Sequence, residues 1–375
     1  MNVANPTRAA FGGAFAARRV LVTGHTGFKG AWLCEWLLAL GADVAGLALP
    51  ALPTQPALFE QLGLAARVSD RRGDVRDAAA VRAAIEAAQP EFVFHLAAQP
   101  LVRRSYADPV ETFSTNVMGT INVLEAVRAA GRPSTVVVAT TDKVYENHGR
   151  PHRYREDEPL GGHDPYSASK AAAEMAVAAY RRSYFATADS PVRVVAARAG
   201  NVVGGGDWAL DRIVPDCVRA LQRAAPVAVR NPHATRPWQH VLEPLAGYLW
   251  LAARLRGVGA DGGDWAAFNF GPEADAARPV AALVAEFLKH WPGRAEERSE
   301  PGAVHEAAQL GLDVERARRV LGWRPVWDFE TTIAHTAAWY REVAAEPSAA
   351  GTATRRQIDE YVEAARSNRV EWAHD

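Results

Sequence analysis

Cysteine is scarce in this chain: Cys34 and Cys217 are the only two among 375 residues. Cys34 falls within an expected helix, which excludes a structural disulfide framework and fits a reducing compartment. Excess charge is also lacking. With 42 Lys and Arg against 43 Asp and Glu, the formal net charge is −1, which argues against nucleic acid or an anionic membrane as the main partner. No apolar run approaches the roughly 18 residues that a membrane-spanning helix needs. Residues 1–18 lack the apolar core of a secretory signal, so the expected location is the cytosol. No His, Cys and Asp cluster has metal-ligand spacing, so no metal is expected. His163, His233 and His290 read as bystanders. What the chain does have is apolar mass. Nearly half of it, 49%, is hydrophobic, enough for the core of one large or two modest domains.

That mass is patterned. Strand-like runs at Arg19–Thr23, Asp43–Leu47, Phe92–Leu96, Thr135–Thr140 and Arg193–Ala197 alternate with helical patterns. The helices are expected over Ala31–Leu40, Ala78–Ala88, Asp108–Ala130 and Tyr166–Phe185. Such alternation predicts an α/β fold: a doubly wound, parallel sheet with helices on both faces. The second half is punctuated by Gly204-Gly205-Gly206, Asn231-Pro232, Arg236-Pro237 and Gly262-Gly263. It reads as a smaller, interleaved α+β lobe. The expected division is a nucleotide-binding domain over 18–200, with returning segments near 236–256 and 268–271. A substrate lobe follows over 201–235 and 272–345. Residues 346–354 are rich in Ala, Ser, Gly and Thr and read as a linker before a terminal helix near Arg355–Ala365.

Two local patterns carry chemistry. The first is Gly24-His25-Thr26-Gly27-Phe28-Lys29-Gly30, between the run Val20-Leu21-Val22 and a helix whose Trp32, Leu33, Trp36, Leu37 and Leu40 recur at helical spacing. Gly24 suits a turn closed to side chains, Gly27 lets backbone approach a pyrophosphate, and Gly30 lets the helix pack against the sheet. The helix N-terminus then offers N–H groups and a dipole to an anion. In a strand–turn–helix context this points to a dinucleotide and a Rossmann-type sheet. The second pattern is Tyr166-Ser167-Ala168-Ser169-Lys170. Tyr166 and Lys170 lie one helical turn apart on one face. A phenol ionises only near pH 10, and a neighbouring ammonium lowers that value. The pair can therefore take a hydroxyl proton while a nicotinamide takes the hydride.

Together these elements resemble the extended short-chain dehydrogenase/reductase family over most of the chain. His95-Leu96-Ala97-Ala98-Gln99 resembles its strand-end segment along the cofactor. Asn116 matches its helix asparagine, a role compatible with a helix kink. Asp74-Val75 fits its adenine-recognition position. Thr141-Asp142-Lys143-Val144-Tyr145 is similar to the sugar-nucleotide 4,6-dehydratases, which carry Thr-Asp-Glu there, or Thr-Asp-Lys in the branch that acts on cytidine diphosphate sugars. The segments 198–208 and 236–241 also resemble that branch.

The resemblance implies an NAD-dependent dehydration of a nucleotide sugar, CDP-glucose, with a C4 epimerase or a dehydratase on another nucleotide sugar as the alternative. It implies Tyr166 as base for the sugar 4-hydroxyl, assisted by Thr141 and Lys170, Lys143 as base for C5–H, and Asp142 as acid for the departing 6-hydroxyl. A base must be neutral, and a protonated Asp142 would relieve the conflict between Asp142 and Lys143. A plain Asp–Lys ion pair is the structural alternative. The cofactor would lie on residues 24–30, Asp74, Val75, Leu96, Ala97 and Ala98 as well as Tyr166 and Lys170. Substrate would meet Gln99, Asn201 and, at its diphosphate, Arg236, whose guanidinium can grip phosphate in a bidentate fork. Arg212 and Arg230 are further candidates that also read as solvated surface charges. A homodimer or homotetramer is implied, built from the Ala-rich helices near 108–130 and 166–185. One position departs from expectation. The second strand ends Val44-Ala45-Gly46-Leu47-Ala48, without the acid that often binds the ribose 2′-hydroxyl of NAD. NAD over NADP therefore rests on the resemblance, and His25 and Lys29 could meet an extra phosphate.

Overall fold

The computed structural model describes residues 6–147, 149, 152–187, 189–257, 265–273, 277–298 and 311–374. The Gly262-Gly263 pair lies outside them. Six strands, β1 (Arg19–Thr23), β2 (Asp43–Ala48), β3 (Ser69–Arg72), β4 (Phe92–His95), β5 (Ser134–Thr140) and β6 (Val192–Ala199), join the strand Ala267–Phe270 in one seven-stranded sheet. Its order is Ala267–Phe270, β6, β5, β4, β1, β2, β3, and every pairing is parallel. Helices cover both faces, so the inner strands are continuous apolar runs; β5 is buried along its whole length. The order of connection reverses between β1 and β4. In such sheets a ligand crevice opens there, beyond the carboxyl ends of the strands.

β3 escaped the sequence reading. It reads Ser69-Asp70-Arg71-Arg72, is largely exposed and sits at the sheet edge, where charge protects against stray pairing. The helix expected over 108–130 is interrupted: Pro109–Phe113 leads into a wide π turn at Ser114–Met118 and then Gly119–Ala130. The helix expected from Ala31 begins earlier, at Phe28, and runs to Ala39.

Residues 346–354 are a correction. Instead of a linker, Ala350 opens a helix that runs to Ser367, with Ala350, Ala353 and Thr354 buried. The small residues are there for close packing: Trp339 Nε1 donates to Thr354 Oγ1 at 2.9 Å. This helix covers the buried helix Phe28–Ala39, whose Glu35 carries both Arg67 and Arg355. Just beyond the C-terminal helix, Trp372 stacks on Phe11, ring centroids 4.8 Å apart.

The C-terminal layer is tied down at one buried carboxyl. Glu243, in the helix Leu242–Leu255, accepts from Trp327 N at 2.7 Å, Val326 N at 3.1 Å and the Tyr361 hydroxyl at 2.7 Å. Burial pushes it up to about 7, against these donors. Between the ordinary carboxyl range and that value the folded state holds a proton that the unfolded chain has lost. Glu243 therefore favours folding below the ordinary range, and that contribution fades as pH rises toward 7. Glu243→Gln should flatten this part of the stability profile, which in the parent declines by up to about 3 kcal/mol. Denaturant titrations at several pH values check it; the same decline in both proteins would exclude Glu243 as its source.

Candidate active site

The loop after β1 is built by its glycines. Gly24 has φ +74°, and a Cβ there would stand 2.8 Å from the Ala97 backbone, so only glycine lets the segment after β4 pass. A Cβ on Gly30 would fall 2.2 Å from the Gly24 carbonyl oxygen. Gly27 precedes the helix, whose first-turn N–H groups face the loop and suit an anion. Thr26 is buried, and Phe28 and Lys29 form the first turn. Side chains at Gly24 or Gly30 would collide with neighbouring backbone, so glycine keeps this turn tight against the helix N-terminus, an arrangement that fits a dinucleotide pyrophosphate.

His25 and Lys29 do not stand ready for an extra phosphate. The fully buried His25 ring takes the room left by Gly46, where a Cβ would lie 2.2 Å from it. Its Nε2 meets Asp70 Oδ1 at 2.9 Å, and burial pulls it below the usual imidazole range. Arg72 pairs with the same Asp70 at 2.8 Å. The acid missing from the end of β2 is thus found on β3, opposite Gly46 in the register, tying the loop to the sheet. Lys29 lies half-buried with Nζ 5.9 Å from the Tyr248 ring centroid, and burial, with Arg212 and Lys170 nearby, lowers it to about 8.

The Asp74 carboxylate is taken by Arg76, which holds it below the usual range. Val75 is buried under Gly119, and Asn122 Nδ2 donates to its carbonyl at 2.9 Å. Leu96 and Ala97 hang from Thr23, and Ala98 leads into Gln99. Gln99, expected at the substrate, is committed within the protein. Its amide bonds Leu101 and Thr112, and its backbone bonds Asn116 on both sides. Asn116 in turn donates to Ser169 Oγ at 2.8 Å, joining the π turn to the Tyr166 helix.

That helix, Pro165–Tyr180, is capped by Asp164, which accepts from Ser167 N. It sets Tyr166 against the end of β5. The Tyr166 hydroxyl is hydrogen-bonded to Thr141, and burial pushes it up to about 12, opposed by Thr141 and Arg212. Lys170 Nζ donates to the Ala139 carbonyl at 3.1 Å, and burial pulls it down to about 8. The cation opposing burial at the phenol is therefore Arg212, a partner that spacing along the helix does not reveal.

Beyond Thr141 the chain of contacts continues. Thr141 Oγ1 donates to Asp142 Oδ1 at 3.0 Å and accepts from Lys143 N at 3.4 Å. Asp142 is buried and Lys143 half-buried. Asn201, expected on a phosphate, donates to Asp142 Oδ2 at 2.9 Å instead. Arg212 pairs with Asp207 at 2.7 Å, and Arg230 is held by Asp211 and Asp216 at 2.6 and 3.1 Å. Both have protein partners rather than open solvent. Arg236 is buried on the strand Thr235–Pro237 and donates to the Thr235 carbonyl.

Under the site runs a network the sequence reading missed. Arg198 pairs with Glu174, one turn beyond Lys170, at 2.5 Å, and Thr140 Oγ1 donates to the same carboxylate at 2.6 Å. Arg198 also reaches the Tyr145 hydroxyl, which donates to Asn269 Oδ1. Both charges are buried, and breaking such a pair by removing one partner typically costs about 3–5 kcal/mol. The helix Pro165–Tyr180 is thereby fixed to β5, β6 and the strand Ala267–Phe270. Among the described residues, no cluster could hold a metal ion, and no helix is long and apolar enough to cross a membrane. Cys34 and Cys217 are buried and unbridged.

A glycine cradle at the switch point of a parallel sheet, with Tyr166, Lys170 and Thr141 at its rim, defines a nucleotide-dependent enzyme of the short-chain dehydrogenase/reductase type. The chain belongs to the NAD dependent epimerase/dehydratase family, whose pattern matches residues 20–266. It is 46% identical over 331 residues to the CDP-glucose 4,6-dehydratase of Salmonella typhimurium, covering 86% of this chain and 90% of that one. Among solved structures it is similar to DesIV, the dTDP-glucose 4,6-dehydratase of Streptomyces venezuelae. The TM-score is 0.73 at 26% identity, over 88% of this chain and 99% of that one. It is similar also to the UDP-glucose 4-epimerase of Thermus thermophilus in complex with NAD. There the TM-score is 0.72 at 26% identity, over 86% and 99% of the two chains.

Proposed function

We propose that this protein converts CDP-glucose to CDP-4-keto-6-deoxyglucose and water with NAD as resident cofactor. The observation that carries the reading is the placement of Thr141, Asp142 and Lys143 at the end of β5, with Thr141 bridging Tyr166 and Asp142. The 46% identity to a CDP-glucose 4,6-dehydratase supports the same substrate. A 4-epimerase would use the cradle and Tyr166 but has no need of an acid fixed beside them.

The cofactor would lie on residues 24–30, Leu96, Ala97 and Ala98, with Asp74-Val75 toward adenine and Lys170 at the far end. When bound, NAD supplies the acceptor for the C4 hydride and its return to C6. Tyr166 takes the 4-hydroxyl proton, while Thr141 holds the same oxygen. The resulting ketone acidifies C5–H, and Lys143 removes that proton. Asp142 then protonates the 6-hydroxyl as its C–O bond breaks, and water leaves. A proton returned to C5 completes the product. The lobe over 201–235 and 272–345 holds the nucleotide, and Arg236 is the diphosphate ligand best placed by burial and type. Incubation with CDP-glucose should give the alkaline absorbance of a 4-keto-6-deoxy sugar. Its absence, with dTDP- or UDP-glucose consumed instead, would reassign the substrate.

The assembly we propose is a dimer. Six of the eight exposed large hydrophobic side chains among the described residues, Tyr106, Val110, Phe113, Met118, Met175 and Tyr184, lie on the adjoining helical segments 102–118 and 165–185. An apolar face of this kind marks an interaction surface. A second copy, pairing these helices across a two-fold axis, would cover it. Light scattering should give at least twice the 40.5 kDa chain mass, and Val110→Asp with Met118→Glu should give the monomer. A monomeric parent at micromolar concentration would exclude this interface.

A further inference from the structure

Asp142 is held more tightly than an acid group at a strand end requires. Its Oδ1 accepts the Thr141 hydroxyl and its Oδ2 accepts the Asn201 amide, so both oxygens are fixed. The Asn201 amide nitrogen can only donate, and each carboxyl oxygen keeps a second lone pair, so one of them can still carry the proton to be delivered. The third side is Gly200. A Cβ there would stand 2.1 Å from the Asp142 carboxyl carbon, so the carboxyl plane lies directly on the backbone after β6. Asn201 itself has φ +52°, a left-handed conformation that asparagine tolerates better than most residues. The turn is pinned from outside as well. Gln239 Nε2 donates to the Gly200 carbonyl at 2.9 Å, and Gln239 N to the Asn201 carbonyl at 3.2 Å.

We propose that Asn201 is a positioning residue: with Gly200 it aims the Asp142 carboxyl for proton delivery to the departing 6-hydroxyl, rather than gripping the substrate phosphate. This rests on the dehydratase reading. In the step concerned, the C5–H proton passes to Lys143 and its electron pair forms the C5=C6 double bond. The C6–O bond breaks with its pair on oxygen, and that oxygen takes the Asp142 proton and leaves as water. A carboxyl free to rotate would meet the leaving oxygen only part of the time.

Asn201→Gly isolates the effect, because glycine adopts the same left-handed backbone while losing only the amide. Misplacing a reacting group by an ångström or so costs up to about 100-fold, so product formation should fall about 10- to 100-fold. KM for CDP-glucose should stay within about twofold, since uniform substrate binding is untouched. Oxidation at C4 and solvent-deuterium exchange at C5 should continue, because Tyr166 and Lys143 are in place. Absorbance of the reduced cofactor should therefore accumulate. Gly200→Ala, which pushes the carboxyl off its seat without touching Asn201, should give the same pattern in a protein whose thermal unfolding confirms folding. A raised KM with unchanged turnover at saturation would assign Asn201 to the phosphate and overturn the proposal. So would a partition equal to the parent's. The parent run alongside separates the two claims: active parent with an unaffected variant sinks the role of Asn201 alone, whereas a parent inactive on CDP-glucose sinks the dehydratase reading and this proposal with it.

Discussion

Tyr166→Phe should lower turnover by about 100- to 10,000-fold, the usual contribution of a positioned acid–base group, while leaving cofactor binding intact. The ring still fills its place on the helix Pro165–Tyr180, and only the oxygen bonded to Thr141 is lost. Desolvation raises the half-buried phenol to about 12, so it needs further lowering before it can act as a base near neutral pH. The Thr141 hydrogen bond and the Arg212 charge already oppose that rise, so loss of either would raise the phenol further. Arg212→Ala should therefore deepen the pH dependence of the parent, whereas the Phe variant should have lost that limb of the profile. Steady-state rates with CDP-glucose from pH 6 to 10 test both. Turnover of Tyr166→Phe within a few-fold of the parent would remove the tyrosine from the mechanism.

The second large effect separates dehydration from epimerisation. Lys143→Met keeps the length of the side chain and removes the amine. Oxidation at C4 needs only Tyr166 and Thr141, so the reduced cofactor should still appear with CDP-glucose. Elimination should then stall, since C5–H has lost its base, and 4-keto-6-deoxy product should fall by about 100-fold or more. Solvent exchange at C5 should be suppressed with it, the opposite of the result expected for Asn201→Gly. Product at the parent rate would make Lys143 structural and leave Asp142 without a partner in the elimination.

The parts of the site that were legible in the sequence are those carried by local spacing. Gly24, Gly27 and Gly30 state their turn in seven residues, and Tyr166 with Lys170 states its shared face in five. β4 and β5 were legible because strands buried on both faces become unbroken apolar runs. What was not legible depends on pairing across the chain. Asn201 meets Asp142 from 59 positions away, and Arg198 meets Glu174 from 24. Arg212 was readable as a cation but not as the neighbour of Tyr166. β3 was missed because an edge strand can be polar, and its Asp70 with it. The first turn of the helix Ala350–Ser367 read as a linker because Ala, Gly and Thr serve close packing as readily as flexibility.

The claim that joins these residues is that hydride leaves C4 and returns to C6 of the same sugar, with water lost in between. The direct test is conversion of CDP-glucose carrying deuterium at C4, mixed with unlabelled substrate, by the parent protein in ordinary water. The account predicts 4-keto-6-deoxy product with the deuterium at C6 and no exchange of label between molecules. Label retained at C4 in a galactose-configured product, or 4-keto-6-deoxy product without deuterium at C6, would contradict it.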